Sequence, residues 1–293
     1  MLGEAKTDIA DTLGISRFKV ARLLDLALDT GIVTITIRPP DSLDTETSSR
    51  LRDHLGIEHA LVAPGPRTTD ATVARTALTR LAADLLRELL DEGDVLGLPW
   101  SRTVSTLPAQ LHDLPRIDVV QLTGALQAPD VDSSAVSITR EAARATGGSA
   151  TLFFAPLVLE DAAAARAVRR QSEVRDAIAA RTRVTHAVVG LGAWGEGMST
   201  IHAAIRADER EAVQRAGAVG EIAGAFFDER GRAVSAPLSK RLICVTVAEL
   251  AAIPQVIAVC GGAERAAAVR AAVRGGLITG LVCDASLAEE LLP

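Results

Sequence analysis

Aromatic side chains are nearly absent from this chain. They make up 2% of its 293 residues, and there is no tyrosine at all. Channels that hold single-stranded nucleic acid stack the bases on aromatic rings, so this composition counts against such a channel. Hydrophobic residues still make up 48% of the chain, so a large core must be built from Ala, Val, Leu and Ile. Small aliphatic side chains of this kind suit helices packed on a parallel sheet.

Cysteines are few, and the chain has neither an excess of positive charge nor an apolar leader. Cys244, Cys260 and Cys283 form no C-x-x-C pair and have no adjacent histidine, so we expect small buried residues rather than a metal site or disulfides. The net charge of −6 attracts neither DNA nor an anionic membrane, so any DNA contact requires a local patch. The charged start MLGEAKTDIAD is unlike a signal peptide. These absences predict a cytoplasmic protein with no membrane partner.

Short apolar runs alternate with helical patterns along the chain. Ala71–Leu90 and Glu264–Arg274 are the clearest helices. The run pattern predicts an α/β fold with a doubly wound, mostly parallel sheet, whose ligands bind at the carboxyl ends of the strands. The polar loop between Ile222–Phe227 and Leu242–Val247 predicts a hairpin there. The predicted strands are Val95–Leu98, Ile117–Leu122, Ala150–Phe154, His186–Leu191, Ile222–Phe227, Leu242–Val247, Val256–Cys260 and Ile278–Val282.

The first 38 residues differ from the rest in their pattern of predicted elements, with short helices followed by a brief strand. Helices are predicted over Thr7–Leu13 and Ser16–Leu28, with a strand over Ile32–Ile37. Residues 39–49 read as a linker, and residues 50–293 as one large domain. The second helix follows a glycine turn and carries basic residues near its start, which is how a recognition helix enters the major groove. An amphipathic helix pair with a solvated cationic face is the plain alternative. The candidate DNA-binding residues are Ser16, Arg17, Lys19 and Arg22.

Several strings resemble the SorC family of sugar-binding transcriptional regulators over about residues 8–292. IADTLGISRFKVARLLDLALDTGIV resembles its helix-turn-helix, and GAVGEIAGAFFDERG is the most family-specific string. The resemblance implies an effector domain similar in fold to ribose-phosphate isomerases and glucosamine-6-phosphate deaminases, a homotetramer or dimer, and a phosphorylated sugar as effector. The family has a further helix before the stretch equivalent to Gly3–Lys6. A truncated helix-turn-helix is therefore expected, implying either a misplaced start codon or weak or absent binding to operator DNA.

Two segments that resemble the family suit a phosphate group. Asp94–Leu107 resembles a strand and a W-G-x-T turn that opens a helix, where backbone N–H groups face an anion. Ser101, Arg102 and Thr103 would supply this contact, and Pro108 is expected to bend the helix. Val259–Gly276 resembles a Gly-Gly-x-x-Lys segment with arginine in place of the lysine. Its phosphate-binding residues would be Gly261, Gly262 and Arg265.

The remaining candidates lie at strand ends and in a turn. The string VVQLTG resembles the next strand of the family, whose carboxyl end holds Gln121 and Gly124. Gln121 offers a donor and an acceptor to sugar hydroxyls, and the alternative is a capped strand end. The resemblance places Asp228 beside the sugar, and the alternative is an ordinary turn residue. No dinucleotide fingerprint or Walker lysine loop occurs, so no cofactor is predicted. Two further candidates are the glycines of VVGLG, Gly190 and Gly192.

Two other functions remain open at this point. A sugar-phosphate isomerase or deaminase on the same fold needs an acid and a base near the sugar, for which His202 and Glu196 are the available pair. The helix-turn-helix argues against this enzyme, so no catalytic residue is assigned. A sensor that lacks DNA binding is the third alternative, because of the short amino-terminal region.

Overall fold

The computed structural model describes residues 6–30, 43–64, 70–126 and 134–293. Contacts divide the chain into two units, Met1–Pro40 and Asp41–Pro293. The predicted strand over Ile32–Ile37 lies outside the described residues. Residues 45–49 of the predicted linker are helical, because Asp44 accepts a hydrogen bond from the backbone N–H of Thr47 and begins a helix.

The smaller unit contains two helices, α1 (Lys6–Leu13) and α2 (Arg17–Asp29). Gly14 makes the turn between them in the left-handed region, with φ at 62°. Ser16 begins the second helix, since its Oγ accepts a hydrogen bond of 3.2 Å from the backbone N–H of Lys19. The bounds lie within one or two residues of those predicted from the sequence. DNA contact by this unit stays a prediction.

The larger unit is built on a parallel sheet. Its strands are β1 (His59–Ala63), β2 (Val95–Leu98), β3 (Asp118–Gln121), β4 (Ala150–Thr151), β5 (His186–Ala193), β6 (Gly220–Ile222), β7 (Ala225–Phe227), β8 (Gln255–Val259) and β9 (Gly280–Asp284). The order is β1-β9-β8-β5-β2-β3-β4, with every neighbouring pair parallel. Beyond this path, β6 pairs with β5 and β7 with β6, both antiparallel.

Helices cover both faces of this sheet. They are α3 (Thr45–Leu55), α4 (Ala71–Leu89), α5 (Ala135–Thr146), α6 (Ala162–Arg170), α7 (Ser172–Ala180), α8 (Thr200–Ala204), α9 (Ala207–Arg215), α10 (Val247–Ala251), α11 (Ala266–Arg274) and α12 (Ala285–Leu291). One core cluster joins one face of the central strands to α11 and α12, and a second joins the other face to α4 and α5. The predicted α/β fold with a mostly parallel sheet is confirmed.

The predicted hairpin is wrong in its position. The antiparallel pair is β6–β7, which turns at Ala223 and Gly224 inside the single predicted strand Ile222–Phe227. Leu242–Val247 forms isolated bridges and then enters α10, because Thr246 and Glu249 make a capping box. Local alternation of apolar residues did not reveal the glycine turn that splits the predicted strand.

The helix predicted after Trp100 is also absent. Two short 3-10 turns, Val104–Thr106 and Pro108–Gln110, stand in its place. Pro108 has no N–H to donate and its ring would clash with the preceding turn of an α-helix, so the segment breaks instead of bending. The argument from an α-helix dipole therefore does not apply at Ser101. The strand β1 was not among the predicted strands.

Candidate functional site

A cavity of about 530 Å³ opens at the carboxyl ends of the central strands. Its walls come from the segments that follow β2 and β8, from the end of β5, and from Asp284 at the end of β9. The amino-terminal half of α4, the β6–β7 hairpin and residues 197–201 also line it, together with Thr123 and Leu157. This is the location expected for a ligand of an open parallel sheet.

The segment after β2 contributes hydroxyl, guanidinium and backbone groups. Ser101, Arg102 and Thr103 all line the cavity. The Oγ of Ser101 accepts a hydrogen bond of 2.9 Å from the backbone N–H of Val104, which fixes the first 3-10 turn. Gly190 lies against the same hydroxyl, because a Cβ atom at position 190 would be 2.8 Å from Ser101 Oγ. The closeness of β5 to this loop thus requires glycine at position 190.

The segment after β8 contributes the Gly261–Arg265 loop. The backbone N–H of Gly262 donates to both carboxylate oxygens of Asp284, at 3.0 and 3.2 Å. Arg265 turns back on its own loop, where its Nη1 donates to the carbonyl of Gly261 at 2.6 Å and pairs with Glu264. Internal acceptors therefore engage two of the groups predicted to hold phosphate.

Glu221 is a cavity residue that the sequence interpretation missed. It lies on β6 opposite Gly192 of β5, and only 8% of its surface is exposed. The hydroxyl of Ser199 donates to its Oε1 and the backbone N–H of Gly224 donates to its Oε2, each at 3.0 Å. Burial raises the pKa of this carboxyl above its ordinary value. A signal was present, since Glu221 is the one charged residue between Gly217 and Phe227.

Three predicted site residues do not line the cavity. The buried amide of Gln121 donates to the carbonyls of Thr123 and Phe153, at 2.8 and 3.1 Å, and thereby joins two strand ends. Gly124 permits close passage of another segment, because a Cβ atom there would lie 2.6 Å from the carbonyl oxygen of Pro156. Both residues therefore have structural roles at this strand end.

Asp228 closes the turn that follows β7. Its carboxylate accepts hydrogen bonds of 2.9 Å from the backbone N–H groups of Arg230 and Arg232. The hydrogen bond from the Arg232 side chain holds the pKa of this carboxyl below its usual value. The structure thus supports the turn interpretation of Asp228, and the carboxyl groups that line the cavity are those of Glu221, Glu264 and Asp284.

The possible acid–base pair of the enzyme alternative also lies apart from the cavity lining. The ring of His202 packs edge-on against Trp194 with centroids 5.1 Å apart, and desolvation lowers its pKa. Neither His202 nor Glu196 is among the residues that line the cavity. Within the described ranges, no group of three or more side chains suited to a metal ion is found.

Two of the three cysteines are buried, and one of these lines the cavity. Cys260 directly follows β8, and Cys283 lies on the neighbouring strand β9. Burial raises the pKa of the Cys260 thiol to about 12. Cys260 therefore remains a neutral thiol in the cavity lining at ordinary pH.

None of the helices in the described ranges combines the length and the apolar composition needed to span a membrane.

The candidate DNA-binding residues lie at the start of α2. Ser16 caps this helix, and the side chains of Arg17, Lys19 and Arg22 are exposed. Only Ala10 and Val20 are buried among the described residues of this unit. The arrangement presents three cations within two helical turns.

Comparisons with known proteins agree with this geometry. The family model described as "Putative sugar-binding domain" matches residues 41–293. The chain is 31% identical to the transcriptional regulator LsrR of Escherichia coli K12, over 99% of this chain and 90% of that protein. It is 26% identical to the uncharacterized transcriptional regulator YjhU of the same strain, with the same two coverages.

A solved structure shows the same fold over nearly the whole chain. The full-length sorbitol operon regulator SorC from Klebsiella pneumoniae is similar with a TM-score of 0.78 and 24% identity, covering 99% of this chain and 94% of that one. The family model covers the larger unit, and the relatives extend through both units. The chain belongs to the SorC family of sugar-binding transcriptional regulators.

Proposed function

We propose that this protein regulates carbohydrate genes by binding a phosphorylated sugar in the cavity at the carboxyl ends of the sheet. The cavity carries the proposal, because eight of the eleven effector residues predicted from the sequence line it. Its volume of about 530 Å³ lies within the range of small-molecule pockets, about 300–1,000 Å³. The eight residues are Ser101, Arg102, Thr103, Gly190, Gly192, Gly261, Gly262 and Arg265.

Charge and burial suggest how the ligand is oriented. Arg102 and Arg265 supply cations to the cavity, and guanidinium groups bind phosphate through charge-assisted hydrogen bonds. Glu221 and Ser199 supply hydroxyl-binding groups. Since its pKa is raised, Glu221 can donate as well as accept a hydrogen bond when protonated. We therefore place the phosphate toward the arginines and the sugar hydroxyls toward Glu221.

The proposal includes operator DNA as the partner of the smaller unit. Arg17, Lys19 and Arg22 are exposed at the start of α2 and would contact DNA. The similar proteins LsrR, a transcriptional regulator, and SorC, a sorbitol operon regulator, support this role. Effector binding would act by linkage in a cytoplasmic homodimer or homotetramer, changing the spacing of its paired DNA-binding units.

Thermal unfolding against a ligand panel tests the effector class. The panel contains phosphorylated sugars and the matching unphosphorylated sugars, each at several concentrations. A ligand that binds the native state raises Tm by mass action, so even modest affinity is visible. We expect a rise with at least one phosphosugar and a much smaller rise with its free sugar. A flat response across all phosphosugars would contradict the proposed effector class.

A further inference from the structure

The Glu264 carboxylate contacts both the guanidinium of Arg265 and the backbone of Gly262 in the Gly261–Arg265 loop. Its Oε1 pairs with Nη1 of Arg265, whose side chain is only 19% exposed. A Cβ atom on Gly262 would be 2.4 Å from Glu264 Oε1 and 2.7 Å from its Oε2. The carboxylate thus rests against the Cα of Gly262. All three residues line the cavity, so this carboxylate lies against the groups assigned to the phosphate.

The second carboxylate at this loop is held differently. Asp284 accepts hydrogen bonds from the backbone N–H of Gly262, the backbone N–H of Leu287 and the hydroxyl of Ser286, each no longer than 3.2 Å. It also caps α12, so moving it would leave the start of that helix without its cap. Asp284 is therefore a fixed part of the wall.

Glu264 has the weaker hold of the two carboxylates. In the part of the chain that the structure describes, it makes one ion pair, with its sequence neighbour Arg265. Its side chain is 49% exposed, so water reaches this carboxylate and weakens its ion pair with Arg265. Glu264 can therefore leave Arg265 at low cost when a stronger anion approaches.

We infer that Glu264 is an internal competitor of the ligand phosphate, and that it sets the affinity of the regulator for its effector. A phosphate that binds Arg265 through Nη1 must replace the Glu264 carboxylate there, and a phosphate that approaches Gly262 meets the same negative charge. The pairing lowers the affinity for the effector, so only a ligand with a strong anionic group displaces it. This inference rests on the proposed function, since it assigns the phosphate to the same loop.

Calorimetric titration of the full chain with inorganic phosphate, at constant pH and ionic strength, tests the inference. Glu264→Gln removes the competing charge and keeps the side-chain shape, so we expect phosphate to bind about fivefold more tightly than to the unaltered chain. Glu264→Ala should show a gain of the same sign. Glu229→Gln, which removes one negative charge from the exposed turn after β7, should leave the affinity unchanged.

The outcomes separate this inference from the function on which it rests. Suppose that the unaltered chain binds phosphate and that Glu264→Gln and Glu264→Ala bind it equally well or more weakly. This result would overturn the competitor role of Glu264 and leave the proposed function standing. Tighter binding by all three variants would overturn it too, because the effect would then follow net charge. Absence of binding to inorganic phosphate and to every phosphosugar in all four proteins would overturn both the inference and the proposed function. The melting temperature of each variant shows whether it is folded at the titration temperature.

Discussion

The two sides of the cavity present different chemistry to a ligand. The loops after β2 and β8 carry hydroxyl groups, glycine backbone and the guanidinium groups of Arg102 and Arg265. The side formed by the β6–β7 hairpin carries one buried carboxyl, Glu221, held by Ser199 and by the hairpin turn at Gly224. The first side suits a charged group and the second suits a neutral hydroxyl.

Burial explains this difference. Arg265 keeps 19% of its side chain exposed and so pays only part of the cost of desolvation, whereas Glu221 keeps 8% of its surface exposed and its pKa is raised. Because it holds its proton more tightly than usual, Glu221 opposes an anionic ligand less than an ordinary carboxylate would. Glu264 and Asp284 also line the cavity, beside the glycine loop.

The largest effect is expected from Arg265→Ala. Loss of a hydrogen bond to a charged group should weaken phosphosugar binding by about tenfold to a hundredfold, because such bonds contribute roughly 1.5–3 kcal/mol. Binding of the matching free sugar should change little. Calorimetric titration of both ligands measures the two effects, with Arg230→Ala in the exposed turn as the control. Equal losses for the two ligands would remove Arg265 from the phosphate side.

A smaller and different effect is expected from Glu221→Gln. The substitution keeps size but exchanges a group that can lose a proton for one that cannot, so hydroxyl recognition should weaken by about fivefold. Since hydroxyls occur in both ligands, the phosphosugar and the free sugar should lose the same factor. The same titrations measure it. A loss confined to the phosphosugar would place the phosphate near Glu221 and reverse the proposed orientation.

The smallest effect concerns stability and pH. The pKa of Glu221 is raised in the folded chain, so as pH rises above the ordinary value of 4.5 the unfolded chain loses this proton first. The contribution of Glu221 to the free energy of unfolding is therefore fully present below pH 4.5, and it is lost as the pH rises through the pKa of the folded chain. Glu221→Gln should abolish this decline.

Thermal unfolding of the unaltered chain and Glu221→Gln across this pH range measures the effect. The variant should gain in Tm relative to the unaltered chain as pH increases, and the contributions of other carboxyls cancel in the difference. A constant difference in Tm at all pH values would mean that Glu221 titrates normally in the folded chain.

Local sequence patterns predicted much of the fold and part of the site. The bounds of β2 agree with prediction, and α4 ends one residue earlier than predicted, because Asp70 and the apolar periodicity mark the helix within a short stretch of chain. Gly261, Gly262 and Arg265 were predicted as phosphate-binding residues from the resemblance of their own segment to the family. Such features depend on residues that are close neighbours along the chain.

Gln121 and Asp228 are two predicted site residues that the structure places outside the cavity lining. An amide at a strand end and a carboxylate after Phe227 are both suited to sugar hydroxyls, and nothing in the local sequence rules this out. Gln121 is instead engaged by Phe153, 32 residues away, and Asp228 by the turn that it closes. The partner of Gln121 is distant along the chain and those of Asp228 are close, and in both cases the folded structure engages a polar side chain that the local pattern left available to a ligand.

The sequence by itself determined the alternation of strands and helices, the covered parallel sheet and the loop that carries Arg265, because each follows from spacing within a short segment. Only the tertiary structure decided that Glu221 lines the cavity, that the segment after β2 forms 3-10 turns, and that Asp284 reaches the glycine loop. Burial raises the pKa of Glu221, and hydrogen bonds from the Ser199 hydroxyl and the Gly224 backbone orient it. Both causes require segments that meet only when the chain is folded.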